Sequence, residues 1–354
     1  METFRFYLLL IVACISYKPI RSSSLRGVLL LSRHGHRNPT AGYPNDPYRT
    51  HEWPGGYGAL SARGIQQSCK SGETKALRYS HLLRPNNIYI KSSVSERCVQ
   101  SAEAFLRGFL PNSLQNISIN IVPAAEDESL VMPGKPCPKY DHTLSESLLL
   151  NQSKVWEILK GNKKVLDYVG KHSGLNITSL VDFLNIQDTL AIQASYDFEM
   201  PAWAQPIYNN YIMPLSQLAY HSLTNSALNQ VRSGVLLNEI IERLQKGANG
   251  SGENVILLTG HDINLSGLLA YLSMANQIEG KPGFASTVAL ELHKSWYFQN
   301  DLEIRILFFE DETVQTPIQL RIPGCYTPCG FARFKKTVAE TLIKDYEKRC
   351  NEER

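Results

Sequence analysis

Residues 29–40 read LLLSRHGHRNPT, and their reading decides the fold. Extended back through Arg26, Gly27 and Val28, the first half is a continuous apolar run, RGVLLLS. Such a run suits a strand buried on both faces, as in a parallel sheet covered by helices on each side. The run stops at Ser32, and Arg33, His34, His36 and Arg37 follow within five residues. A buried strand that ends in four basic side chains points those side chains at something anionic.

Working outward, the same β-then-α arrangement recurs. LSARGIQQSCKSGETKALRYSHLL (60–83) reads as a helix with Ser61 as its cap, and NNIYIK (86–91) as a short strand. The strand runs into SSVSERCVQSAEAFLRGFLP (92–111), where Ser93 and Glu96 match a capping box and Val94, Cys98, Ala102, Phe105 and Phe109 share one helical face. Later, SGVLLNEIIERLQKG (233–247) reads as a helix capped by Ser233. ENVILLTGHDINLSGLLAYL (253–272) then gives a strand over 255–258, a turn at Gly260-His261-Asp262 and a helix from Leu265. STVALELHK (286–294) and DLEIRILFFED (301–311) alternate as paired strands, and GFARFKKTVAETLIKDYEKR (330–349) is an amphipathic helix. Between residues 126 and 233 only helical patterns occur, broken by Pro and Gly. The expected class is α/β: a mostly parallel, doubly wound sheet with helices on both faces, plus a smaller, mainly helical inserted domain. The core takes residues 25–125 and 234–354, and the insertion or cap takes 126–233.

Residues 1–24 have one early cation, an apolar run from Phe6 to about Ile15 and a polar, small-residue exit, the order of a secretory signal peptide cleaved between 16 and 24. No later stretch has the ~20 apolar residues of a membrane span, so a soluble, secreted protein without a membrane anchor is expected. A formal net charge of only +3, lower still without Arg5, Lys18 and Arg21 of the leader, argues against a nucleic-acid partner. Beyond Cys14 of the leader, an even set of cysteines remains, which reads as disulfides in an oxidising compartment. Cys325 and Cys329, in PGCYTPC, suit a short local bridge. Sequons at Asn116, Asn151, Asn176 and Asn249 agree with export, whereas a glycan at Asn264 would obstruct the residues just before it, so that sequon is expected to be unused.

In a sheet of this kind ligands bind beyond the carboxyl ends of the strands, so SRHGHRNP, KSSVSER and TGHD share one destination. Arginine forks match the oxygens of a phosphate, and Arg33, Arg37 and Arg97 with His261 make an anion site. A histidine held among cations has its pKa pulled down and keeps a lone pair, which makes His34 a nucleophile toward phosphorus. Asp262 then protonates the departing alkoxide and afterwards activates the water, a cycle that calls for neither a metal nor another cofactor and that favours acidic pH. Other readings of single motifs exist: RHGHR as a solvated basic loop, His34-x-His36 as a metal-ligand pair, GHD as a structural histidine. The arginines repel a cation, and the coincidence at three strand exits favours the phosphate site.

SRHGHRNP near the N-terminus with a late GHD resembles the histidine acid phosphatase family, whose signature is R-H-G-x-R-x-P with a distant H-D. The likeness to the animal secreted and lysosomal acid phosphatases extends through YPNDPYRTHEWPGGYGALSARG, IYIKSSVSERCVQSAEAFLRGFLP, HDINLSGLLAYL and RIPGCYTPC, and is weakest in the helical insertion. It implies a phosphohistidine at His34, phosphate ligands at Arg33, Arg37, Arg97 and His261, and a proton donor at Asp262. It also implies a bridge from Cys137 to Cys350, small phosphate monoesters as substrates, with phosphopeptides and lysophospholipids among them, and a homodimer as a possible assembly. Three departures stand out. His36 replaces the family's usual Asp or Ala and is expected to add charge at the pocket mouth. Ser95 and Glu96 stand where Asp residues are usual before Arg97. Cys98 replaces a Thr, and with Cys69 on the neighbouring predicted helix it forms a candidate pair. Two alternatives are a phytase-like inositol polyphosphate phosphatase and a phospho-ligand binding protein without turnover.

Overall fold

The computed structural model describes residues 25–111, 117–131, 134–141, 161–295, 297 and 301–351. Its elements run in the order β1 (Leu25–Arg33), α1 (Ala62–Tyr79), β2 (Ile88–Ser92), α2 (Glu96–Phe109) and β3 (Asn120–Ile121). Four helices follow: α3 (Lys163–Ser173), α4 (Leu180–Ser195), α5 (Met213–Thr224) and α6 (Ala227–Ala248). The chain continues through β4 (Val255–Gly260), α7 (Asp262–Tyr271), β5 (Thr287–Lys294), β6 (Leu302–Phe309), β7 (Ile318–Leu320), β8 (Cys329–Gly330), α8 (Phe331–Val338) and α9 (Tyr346–Asn351).

The sheet order is β3-β2-β4-β1-β5-β6-β7, with β8 on β6. β1 through β4 form the parallel half, while β5, β6, β7 and β8 add antiparallel. In β1 the apolar run sends alternate side chains to opposite faces. Leu29 and Leu31 pack with Ile256 and Leu258 beneath α6 and α7, against Leu237, Ile240, Leu265 and Leu268. Val28 and Leu30 pack with Val255 and Leu257 under α1 and α2, against Tyr79, Ala102, Phe105 and Phe109. All of β1 from Val28 to Leu31 is fully buried, and each such side chain contributes about 1.5–3 kcal/mol. The register sets Arg33 opposite Gly260 and Ser92 opposite Thr259, so the three strand exits end level.

Helices α3, α4 and α5 have their own apolar core of Val169, Phe183, Ile186, Leu190, Ile212 and Leu215, joined by Tyr43 from the loop after β1. Two expected caps are realised differently. Helix α2 begins at Glu96 behind Ser95, without a side-chain cap bond, because the Ser93 hydroxyl is turned to the Ser95 amide and to His261. Helix α6 starts at Ala227, where the Ser226 hydroxyl accepts from the Asn229 amide, and the expected cap Ser233 is a buried interior residue. Ser61 does cap α1, accepting from the Gly64 amide.

Cys137 bonds Cys350 and Cys325 bonds Cys329, with Cα–Cα separations of 4.9 and 5.5 Å. The candidate pair Cys69 and Cys98 is not bonded. The helices touch where a Cβ on Gly108 would lie 2.0 Å from the Cys69 carbonyl oxygen, and Gly108 is about 15 Å along α2 from Cys98, too far for a disulfide. Cys98 instead points its thiol at the Gly260 carbonyl. Asn176 and Asn249 are exposed, whereas Asn116 and Asn151 lie outside the described residues. Asn264 is buried, its side chain accepting from the His261 amide and donating to the Ser129 carbonyl, so its sequon offers no free amide. Among the described residues no helix is long and apolar enough to cross a membrane.

The Cys137–Cys350 bridge closes a loop of 213 residues. Cys137→Ser with Cys350→Ser is therefore expected to cost about 2–5 kcal/mol, read as a lower urea midpoint at unchanged secondary structure.

Candidate active site

At the end of β1 the backbone is tied down on both sides. The His34 amide donates to the Gly260 carbonyl at 3.0 Å, and the Ala285 amide donates to the His34 carbonyl at 3.1 Å. Ala285 is buried at φ +57°, a left-handed conformation that L residues adopt at a cost. Gly35 passes against the start of α1 so closely that a Cβ on it would lie 2.2 Å from the Gly64 carbonyl oxygen. These contacts aim the side chains of Arg33, His34 and Arg37 with little freedom.

His34 is 2% exposed. Its Nδ1 lies 2.8 Å from the Gly35 carbonyl, which only accepts, so the ring proton sits on Nδ1 and Nε2 keeps its lone pair. Nε2 accepts from Arg97 Nε at 3.3 Å. Burial first, and then the charges of Arg33, His261, Arg97 and Arg37, hold its pKa well below that of ordinary histidine. His261 meets Ser93 Oγ at 3.2 Å through Nε2 and Arg97 Nη2 at 3.4 Å through Nδ1, and burial followed by Arg97 lowers its pKa to about 3.

Arg33 and Arg37 are held through their Nη groups. Arg37 forms a two-bond fork with Asp188 of α4, both bonds 2.9 Å. Arg33 donates to the Pro282 carbonyl at 2.7 Å, reaches Asp262 Oδ2 at 2.8 Å and lies 4.0 Å over the Phe284 ring. Nε of Arg33 and Nε of Arg37 are buried and have no partner among the described residues. The sequence-derived set of Arg33, His34, Arg37, Arg97, His261 and Asp262 thus comes together at one place.

Asp262 differs from the expectation of a carboxylic acid standing ready at low pH. Burial alone raises its pKa, but Lys281, with Nζ 2.8 Å from Oδ2, and Arg33 outweigh burial and hold it well below the carboxylate range. With these partners Asp262 is an ionised carboxylate. His36 is also placed differently from the expected charge at the pocket mouth. It is 3% exposed, bridges Ser61 Oγ of the α1 cap and Ser195 Oγ of α4 at 2.8 Å each, and packs against Tyr196 and Phe284. Burial, with Arg63 and Arg37 next, lowers its pKa to about 4, so it is a neutral tie between core and insertion.

Sequence reasoning missed Lys281, Phe284 and the Pro282 carbonyl, all on the strap of residues 278–286 before β5, and Asp188 on α4. The strap carries the sequence signal of a Gly/Pro-rich loop, which marks a turn without saying what it grips. Asp188 reads as the polar face of a helix.

The sequence and the fold both have counterparts among known proteins. The sequence profile of the Histidine phosphatase superfamily (branch 2) matches residues 24–309. The chain belongs to that family. It is similar to the lysosomal acid phosphatase of Homo sapiens, 31% identical over 97% of this chain and 84% of the relative, and to the prostatic acid phosphatase of Bos taurus, 28% identical over 94% and 89%. In fold it resembles the phytase of Citrobacter braakii, with a TM-score of 0.71 at 15% identity over 92% of this chain and 99% of that one.

One contact tests how tightly this histidine phosphatase holds the segment after β1. A Cβ on Gly64 would lie 2.0 Å from the His36 carbonyl oxygen. Gly64→Ala is expected to push the His34–His36 backbone out of line and lower kcat/KM about 100-fold in steady-state assays, since displacement of about 1 Å costs that much.

Proposed function

We propose that this acid phosphatase hydrolyses small phosphate monoesters through a covalent phosphohistidine at His34, with Asp262 as the proton donor. The observation that carries the reading is His34 itself: buried, neutral, its proton committed to the Gly35 carbonyl and its Nε2 facing Arg97. Arg33, Arg37, Arg97 and His261 surround the position where phosphoryl oxygens develop charge, and two of these arginines keep a buried N–H that has no partner among the described residues. Nε2 attacks phosphorus as the P–O bond to the leaving group breaks, and Asp262 gives its proton to the departing oxygen. In the second half the Asp262 carboxylate takes a proton from water, the hydroxide attacks phosphorus, and the P–N bond breaks to release phosphate and His34.

The arriving phosphate supplies what Asp262 lacks. Its negative charge competes for Arg33 and disfavours a second anion beside it, so the proton affinity of Asp262 rises on binding. That coupling favours acidic pH. In the same reading residues 1–24 direct export, Asn176 and Asn249 are glycan sites, and residues 126–233 form a cap over the leaving group. The inositol-polyphosphate alternative calls for several cations beside the phosphate site, and among the described residues the neighbouring cavity wall has one Lys or Arg side chain, Lys281.

His34→Ala is expected to abolish hydrolysis of p-nitrophenyl phosphate at about pH 5 while phosphate still protects the protein against thermal unfolding. A variant that keeps turning over would show another nucleophile. Asp262→Asn is expected to slow alkyl phosphates at least about tenfold more than p-nitrophenyl phosphate, because only the poor leaving group needs the proton; equal losses would remove Asp262 from that role. A lowered histidine pKa means the neutral form persists as pH falls through 6.5. The acidic limb of kcat/KM for the enzyme is thus expected well below pH 6.5, and a limb centred there would contradict the assignment.

A further inference from the structure

The Lys281 ammonium serves two places at once. It lies 2.8 Å from Asp262 Oδ2, and it lines a cavity of about 850 Å³ between α4, α5 and α7, together with Gln187, Tyr220, Ser266 and Ile278. The ammonium stands 5.1 Å over the Tyr220 ring, whose hydroxyl meets Ser266 Oγ at 2.8 Å. Its side chain is 36% exposed, against 16% for Asp262 and 5% for Arg33. With Asp262 as donor to the leaving oxygen, as proposed above, the alcohol portion of the substrate lies on the Asp262 side, where Lys281 joins the site to this cavity.

Asp262 has a second hold besides Lys281. Arg33 bonds the same carboxylate oxygen at 2.8 Å and is itself fixed by the Pro282 carbonyl and the Phe284 ring. What Lys281 adds is a mobile charge. An ammonium on a four-carbon stem has three donors in rotating geometry, so it turns from one anion to another without rebuilding the site.

We propose that Lys281 receives a second anionic group, a carboxylate carried on the leaving group of the substrate, and that in doing so it releases Asp262 to take up a proton. The inference rests on the phosphohistidine chemistry proposed above. A monoester of a hydroxy acid puts its phosphoryl group among the arginines and its carboxylate in the cavity beside Lys281. The ammonium pairs with that carboxylate, Asp262 loses one of its two cations, and its proton affinity rises when the leaving oxygen needs a proton. No bond is made or broken beyond the phosphoryl transfer itself. One added anion matches the wall, where Lys281 is the one Lys or Arg side chain among the described residues. The charged and titratable groups facing Asp262 are Arg33 and His34 from β1 and its exit, Arg97 and Cys98 from α2, His261 beside it, Tyr220 from α5, and Lys281 from the strap.

The test compares 3-phosphoglycerate with glycerol 3-phosphate, which share a primary phosphate ester and differ by a carboxylate. Wild-type enzyme is expected to favour 3-phosphoglycerate by about tenfold in kcat/KM at pH 5, the size of one charge-assisted contact. Lys281→Met should bring the ratio to about one, and Lys281→Arg should restore part of it. With glycerol 3-phosphate, Lys281→Met should also move the alkaline limb to higher pH, because removing a cation raises the pKa of Asp262. A wild-type ratio at or below one overturns the proposal even if the variants do not fold, and so does an unchanged ratio in Lys281→Met. Failure of wild-type enzyme on both esters and on p-nitrophenyl phosphate overturns instead the phosphatase mechanism beneath it.

Discussion

The parallel pairing of β1 with β4 is the constraint on which the rest depends. Its register puts Arg33 beside Gly260, and the next residues along each strand are His34 on one side and His261 and Asp262 on the other. Residues more than two hundred positions apart in sequence are thereby brought together, with the His34 and His261 ring centres 5.5 Å apart. The pairing is held by apolar side chains that alternate between two helical layers, so a slip of one residue would bury the wrong face of the strand. The precision of the site is inherited from the core.

Such a concentration of cations is unfavourable in itself, and the surroundings show how it is tolerated. Arg37 is neutralised by Asp188 and Arg33 by Asp262, with a carbonyl and an aromatic face completing the latter. His34 and His261 answer the same pressure by staying neutral. The local charge thus leaves a nucleophilic lone pair where a positive charge would otherwise stand. The same electrostatics keep Asp262 ionised, and in the proposed mechanism the arrival of negative charge is the event that changes its protonation.

The insertion and the strap both act on this site. Helix α4 brings Asp188 to Arg37 and Ser195 to His36, while the strap brings Lys281 to Asp262 and Phe284 to Arg33. His36 shows how a motif residue changes meaning in this setting. In the sequence it is one more basic side chain beside the nucleophile. In the fold it is a neutral, buried link whose two ring nitrogens reach the α1 cap and the inserted helices.

The alternating strands and helices, the level strand exits and the cluster of Arg33, His34, Arg37, Arg97, His261 and Asp262 were all legible in the sequence. Apolar periodicity reports burial, and motif chemistry reports what a strand end carries. The start of α6, the capping of α2, the separation of Cys69 from Cys98 and the partners of Asp262 were not. Each depends on which neighbour wins a hydroxyl, a thiol or a carboxylate, and Ser93 serves His261 rather than its own helix for that reason. The sequence by itself determined the strands that carry the site, their exits and the atoms available for phosphoryl chemistry, because those follow from local pattern, while the antiparallel half of the sheet came from its tertiary pairings. Only the tertiary structure decided their protonation and their wardens, Lys281 and Asp188, because a pKa is the sum of charges and burial brought together from distant parts of the chain.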